Sequence, residues 1–397
     1  MNQAAIAGEP RDHIPRLDVL RAVAILLVFG FHYAGNLIPA FTATATHASN
    51  SGFEGTIDSL VLHLMPLGAC GVPLFFVISG FCIHLSVLRR RGAFQAGDFY
   101  WRRFLRIYPA YFIALVIFSL LGLFKILNSL NLKMFLAHLF LVHNFFDYHV
   151  LMSINAAFWS LAVECQFYLL YPLVLLAPGK SGLKLWLFFT ILICILEQGL
   201  CSVSPGFTHF TQDQFCLGRT LGTWCDWILG ACLAEAYVKR ERFFQRRVFW
   251  IVASSALFVV GHNFPFIFEF RFLLDSFFCA VLLEIYLASS KPLARIERLL
   301  VPVGLISYSI YLWHQPLIKP LWYFLHAHCP LPTTALWELL FFLPLTALIL
   351  SPVFVTSYWL TEKAAPKLVR GWFTPRTLPA SQTFPQSDLA PGKVAAD

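Results

Sequence analysis

Residues 16–33, "RLDVLRAVAILLVFGFHY", decide the fold. The stretch is apolar enough for a membrane helix, yet Asp18 and Arg21 stand near its start and His32 near its end. A helix needs roughly 20 residues to cross a hydrocarbon core of about 30 Å. An ionisable group inside that core costs roughly 2.5–3.5 kcal/mol on insertion scales, so one that is kept faces a cavity or a partner. The rest of the chain has the same character. Of its 397 residues 58% are hydrophobic and 13% charged, and the mean hydropathy is +0.69. An average soluble domain carries roughly 25% charged residues, so this is the composition of an integral membrane protein.

Reading apolar runs against polar breaks predicts an all-α, polytopic helical bundle of ten transmembrane helices, at 17–39, 67–88, 107–124, 157–177, 184–203, 217–237, 248–264, 271–289, 301–325 and 335–360. The segment "MFLAHLFLVHNFF" (134–146) is too short to span and is predicted to be re-entrant or interfacial. An even count puts both termini on one side. Basic residues gather at Arg11 and Arg16, at Arg89 to Arg91 with Arg102, Arg103 and Arg106, at Lys180 and Lys184, at 239–247, at Lys291 to Arg298, and after Lys363. These are alternate loops, so both termini are predicted to be cytoplasmic in a multi-pass protein of the inner (cytoplasmic) membrane. The net charge of +8 then reads as topology and not as nucleic-acid binding.

The predicted organisation is a cytoplasmic N-terminal segment (1–16), a transmembrane domain (17–362) and a disordered cytoplasmic tail (363–397) rich in Pro, Ser and Thr. Arg21 and His32 within the first apolar run argue against a cleaved signal peptide. Ten cysteines show no CxxC and no paired Cys/His spacing, and "HAH" (326–328) lacks a third ligand. No metal site or disulfide framework is expected.

Three constellations carry chemistry, and two further stretches support the layout. Arg21 and His32 are eleven residues apart, about three helical turns, so they share one face and stand roughly 16 Å apart along the axis. Asp18 precedes Arg21 by three and can pair with it. Taken alone, Arg21 also reads as a snorkelling residue and His32 as a packing hydrogen bond. In "FYWRRFLRIYPAYF" (99–112), Arg103 and Arg106 lie one turn apart with Arg102 beside Arg106. Their forked guanidinium groups suit phosphate oxygens, or they orient the span as juxtamembrane charge.

In "FWSLAVECQFYLLYPLVL" (158–175), Glu164 lies about six residues, roughly 9 Å, below the outer end of its span. His32 is at similar depth, which is what a Glu/His proton-transfer pair requires; a buried carboxylic acid bonded to a neighbour is the alternative. "GVPLFFVISGFCIHL" (71–85) supplies small residues, Gly71, Ser79 and Gly80, and "ISYSIYLWHQPL" (306–317) holds Trp313 and His314, both expected to pack. Asp226, Asp275 and Glu284 are further candidate intramembrane carboxylates, left without a role.

Five of these motifs, "LDVLRAVAILLVFGFHY", "GVPLFFVISGFCI", "YWRRFLRIYP", "FWSLAVECQFYLLYP" and "ISYSIYLWHQP", run in order across residues 17–317. In that order the chain resembles the integral-membrane acyltransferase family 3, whose members O-acylate cell-surface polysaccharides and other exported glycans. The family's Arg-to-His spacing falls on Arg21 and His32, its arginine pair on Arg103 and Arg106, and its membrane carboxylate on Glu164. One departure is Val19, where the usual pattern "LDGLRA" has glycine.

The resemblance implies an enzyme with no bound cofactor and acyl-CoA, most simply acetyl-CoA, as donor substrate. Arg21, Arg103 and Arg106 would hold its phosphates at the cytoplasmic side, and its acyl-pantetheine arm would thread towards His32. His32 would act as general base, with Glu164 orienting the imidazole, on a hydroxyl of an extracytoplasmic or lipid-linked glycan. Asp18, Ser79, Arg102, Trp159, Ser160, Trp313 and His314 would support that site. An acyl-enzyme on Ser79 or Ser160 is disfavoured because no Ser-His spacing supports it. The chain is expected to resemble the family's stand-alone form, without a hydrolase-like domain after the last span. The rival reading is a transporter or flippase of a glycosylated or acylated lipid using the same charged path, and a silent scaffold is a third.

Overall fold

Lipid offers no hydrogen bonds to the backbone, so apolar runs of this length must satisfy their own peptide groups as helices. The computed structural model describes residues 13–45, 53–90, 94–123, 131–176, 182–203, 218–264, 270–329, 331 and 334–364, and every regular element among them is helical. In order these are α1 (Pro15–Ala45), α2 (Phe53–Leu64), a 3-10 turn (Met65–Cys70), α3 (Gly71–Leu88), α4 (Ala96–Leu123), α5 (Leu132–Leu139), α6 (Tyr148–Leu151), α7 (Phe158–Leu175) and α8 (Gly182–Val203). Then come α9 (Gly218–Gly222), α10 (Trp224–Lys239), α11 (Arg247–Asn263), α12 (Arg271–Leu287), α13 (Arg295–Leu305), α14 (Ser307–His328), α15 (Ala335–Trp337) and α16 (Leu343–Ser357), with π-helical turns at Glu338–Phe342 and Tyr358–Ala364. The N-terminal segment through residue 12 and the tail beyond residue 364 lie outside the described residues.

Each of the ten predicted spans coincides with helix, but the count of ten is not what the helices support. Among the described residues six helices are long and apolar enough to cross a membrane, or seven if the bent pair α13–α14 is one span. The difference lies in α10, α11 and α12, which are 16, 17 and 17 residues long. At 1.5 Å per residue they reach about 24–26 Å, short of the hydrocarbon thickness. The predicted 217–237 run is broken at Thr223 between α9 and α10, and α10 ends at Arg240 in a left-handed cap; α11 fills its predicted run, which is itself short, and α12 stops at Leu287, just inside the end of its own.

Small residues set the closest crossing. A Cβ on Gly80 of α3 would strike the Trp227 carbonyl of α10, and one on Gly230 of α10 would strike the Val77 carbonyl of α3. The two backbones therefore meet where neither helix has a side chain. Gly304, at the end of α13, presses in the same way on the Asp18 carbonyl of α1. The chain then turns by 72° into α14. Together these contacts bring α1, α3 and α14 to one side of the bundle, while α8 and α11 turn Phe188, Phe189, Leu196, Val248 and Phe249 outward as an apolar, lipid-facing surface.

The segment predicted not to span is a short, broken element. α5 has eight residues, Leu141 takes a left-handed conformation (φ 55°), and a 3-10 turn follows at His143–Phe145. Tyr111 and Tyr108 of α4 donate to the His138 and Leu139 carbonyls at 2.7 and 3.0 Å and fasten it to the bundle. Asp147 caps α6 by accepting from the Val150 amide (3.0 Å); that bond, with Lys133 3.3 Å away, holds its carboxyl below the usual range. His138 and His143 are fully buried and stack face to face, ring centroids 3.8 Å apart. Burial pushes His138 down to about 4 and His143 well below its ordinary value, against the backbone bonds that favour the charged form.

Two outcomes follow from this packing. Gly80→Val should destabilise the detergent-solubilised protein by roughly 1–3 kcal/mol or more, whereas Phe188→Ala on the lipid face should leave its melting temperature nearly unchanged in the same scan. Both stacked histidines are neutral in the fold while unfolded ones take up protons below about pH 6.5. Stability is thus full above that pH and falls as the pH drops towards 4; the double variant His138→Gln, His143→Gln should flatten this slope in melts recorded from pH 7 to pH 4.

Candidate active site

The first turns of α1 carry the polar start of the site. Asp18 is 1% exposed, accepts from Arg21 Nη1 at 2.7 Å, and has His13 Nε2 2.5 Å from its other oxygen. Arg21 Nη2 also reaches Cys82 Sγ of α3 at 3.1 Å. The guanidinium is thereby fixed between α1 and α3 by groups one helical turn away and one helix across.

From α4 come Arg103 and Arg106. Arg103 lies over the Phe99 ring (5.8 Å to the centroid), and its Nε is buried with no hydrogen-bond partner among the described residues. Arg102, expected beside Arg106, instead pairs with Asp98 one turn back at 2.6 Å. From α7 comes Glu164, which accepts from Ser79 Oγ of α3 at 2.6 Å and from the Tyr168 hydroxyl one turn on. Arg21, Arg103, Arg106, Ser79 and Glu164 surround one cavity of about 190 Å³, which also touches Asp18, Ser160, Tyr168, Tyr311 and Glu362. Five residues singled out by sequence on four different helices therefore share a space.

Ser160 of α7 and Tyr311 of α14, both on the cavity wall, are hydrogen-bonded to each other; the Tyr311 hydroxyl also donates to the Ala157 carbonyl at 2.9 Å. One turn further along α14 stands His314, 0% exposed, with Nε2 3.1 Å from Nδ1 of His32. This corrects two expectations. The partner of His32 is His314 and not Glu164, and His314 does more than pack. Helix spacing put Glu164 and His32 at one depth, but Glu164 is turned towards α3 and lies one turn nearer the arginines than Ser160. Trp313 packs as expected, donating to Ser357 Oγ at 2.9 Å against Phe118, and Trp159 meets Phe76 and Phe272 edge-on.

Several groups escaped the sequence reading. Tyr168 follows Glu164 at i+4 and could have been found from that spacing. Glu362, which accepts from Ser309 Oγ at 2.5 Å, looked like the edge of the tail. Nearer the His32 end, Tyr33 donates to Glu338 Oε2 at 2.6 Å and His326 Nε2 is 2.7 Å from Glu338 Oε1, with Glu338 fully buried on a π-helical turn. Of the carboxylates left unassigned, Glu284 clamps the Phe243 and Phe244 amides (2.5 and 3.0 Å), Asp275 meets His262 (3.0 Å), and Asp226 is buried in α10.

A family model described as an acyltransferase domain matches residues 14–361. The chain is 26% identical over 339 residues to the peptidoglycan O-acetyltransferase OatA of Listeria monocytogenes, covering 78% of this chain and 50% of that protein. It is 27% identical over 334 residues to the O-acetyltransferase OatA of Staphylococcus aureus, covering 77% and 51%. The chain thus spans about half the length of these curated relatives. No solved structure matches it.

The grip on Glu164 is directly testable. Ser79→Ala and Tyr168→Phe each remove one donor to a carboxylate, worth roughly 1.5–3 kcal/mol for a charged acceptor. Their effects on unfolding in detergent should be non-additive, the double variant losing less than the sum, because both hydroxyls serve one carboxylate oxygen.

Proposed function

The chain belongs to the integral-membrane acyltransferase family 3, and from that premise we propose that it transfers an acyl group, acetyl in the simplest case, from cytoplasmic acyl-CoA to a hydroxyl of an extracytoplasmic or lipid-linked glycan. The observation that carries this reading is the cavity between the spans, with three guanidinium groups around it and a buried Arg103 Nε that lacks a partner among the described residues. Guanidinium forks suit the phosphates of a coenzyme A better than any neutral lipid headgroup. The positions of the basic residues along the chain support the cytoplasm as the side from which Arg21, Arg103 and Arg106 are reached.

In this mechanism the phosphates rest at Arg21, Arg103 and Arg106, and the acyl-pantetheine arm runs past Glu164 towards Ser160 and Tyr311. Glu164, held by Ser79 and Tyr168, balances Arg103 and keeps that wall in place. The Ser160–Tyr311 bond must open to let the thioester reach His32, roughly 16 Å from Arg21 along α1. There the acceptor hydroxyl gives its proton to His32 as its oxygen bonds to the thioester carbonyl carbon. The C–S bond breaks, the sulfur leaves as thiolate, and the proton passes from His32 to that sulfur, so ester and CoA thiol are the products. A positioned base of this kind contributes roughly 10²–10⁴ in rate. The names of the relatives support acetyl as the group and a glycan as its host.

Membranes containing the protein, supplied with radiolabelled acetyl-CoA, should transfer label to a glycan. His32→Ala should lower turnover roughly 10²–10⁴-fold, while Arg103→Ala with Arg106→Ala should raise KM for acetyl-CoA by roughly tenfold or more with the protein still inserted. Lipid translocation without label transfer, or full activity of His32→Ala, would count against the reading.

A further inference from the structure

We propose that His314 is the positioning residue for His32: it keeps the ring hydrogen of His32 on Nδ1, so that Nε2 is the basic nitrogen, and it accepts a hydrogen bond from the imidazolium formed during transfer. The inference rests on the reading of His32 as general base.

Hydrogen counting gives the assignment. His314 Nδ1 stands 3.1 Å from the Ile310 carbonyl oxygen and 2.9 Å from that of Tyr311. Carbonyl oxygens only accept, so this nitrogen carries the ring hydrogen and Nε2 is left with a lone pair. That lone pair faces His32 Nδ1 at 3.1 Å, and the same Nδ1 lies 3.0 Å from the Val28 carbonyl oxygen. The Val28 carbonyl oxygen and the His314 lone pair are both acceptors, so a hydrogen on His32 Nδ1 serves them. One hydrogen per ring satisfies these contacts; the other tautomer of either ring sets two lone pairs against each other. The rings meet edge-on, centroids 4.9 Å apart at 68°, as such an N–H to lone-pair contact requires.

Among the described residues, the other polar groups near this level are engaged elsewhere, Glu338 with Tyr33 and His326. The Tyr311 hydroxyl is taken by Ser160 and the Ala157 carbonyl, and the Glu164 oxygen bonded to Ser79 and Tyr168 is a turn of α7 away from Ser160. In serine hydrolases a buried carboxylate holds the histidine base and steadies its cation. Here a neutral imidazole does so, which leaves no second charge to be buried beside the base.

Asparagine and glutamine at position 314 separate this role from packing. His314→Asn keeps an amide N–H at the Nδ1 position for the Ile310 and Tyr311 carbonyls but ends short of His32. His314→Gln places an amide oxygen where Nε2 stands. Full-length protein in proteoliposomes, assayed with acetyl-CoA, should show kcat lowered about tenfold to a hundredfold for Asn, the loss of a bond to a charged donor. KM for acetyl-CoA should stay within about twofold, and Gln should recover most of kcat. Wild-type kcat in the Asn variant, equal losses in both variants, or an Asn variant that does not fold would overturn the assignment in favour of packing. The reading of His32 as base is checked separately: if His32→Ala is inactive while His314→Asn is unaffected, only the positioning role falls.

Discussion

Hydrocarbon cannot solvate a charge, and Arg21 meets that constraint by lying between an aspartate one turn away and a thiol on the next helix. The rest of the site follows from it. To serve Arg21, Asp18 must be buried, and it is, because the glycine that ends α13 lets another backbone close over the first turn of α1. Cys82 must face α1, which fixes the rotation of α3 and with it the direction of Ser79 towards α7. A single half-buried cation thus sets the phase of three helices, and the space they enclose is where Arg103, Arg106 and Glu164 converge.

Much of this was legible from residue order. Period and length gave helices in the right places, and charges that lipid would reject marked α1, α4 and α7 as the site-bearing elements. What spacing could not give was which neighbour each helix face meets. Arg21 and His32 do share a face of α1, but the group opposite His32 comes from α14, across 282 residues, and no periodicity connects them. Glu164 was matched to His32 by depth, yet it accepts from Ser79 and Tyr168, since depth along one helix says nothing about its rotation against the next. Glu338 was invisible for another reason: a π-helical turn shifts its side chain off the 3.6-residue phase that a sequence reading assumes.

The same lesson applies to helix ends. α10, α11 and α12 stop at 16 or 17 residues, bounded by polar stretches: Arg240 to Arg242 after α10, Arg246 before α11 and Ser289 to Lys291 after α12. The crossing of α3 and α10 shows what a short helix gains from burial inside protein: α10 packs by backbone contact at Gly80 and Gly230 and need not match the bilayer by length.

The distribution of formal charge along the passage has an electrical consequence. Arg21, Arg103, Arg106, Glu164 and Glu362 all border the cavity, whereas the far end is reached past Ser160, Tyr311 and two imidazoles. In the proposed reaction a donor whose phosphates stay at the arginines would send only an uncharged arm deeper. Carrying one elementary charge across a membrane held at 100 mV costs about 2.3 kcal/mol; a neutral thioester would avoid that work, and such a turnover would be decoupled from the membrane potential.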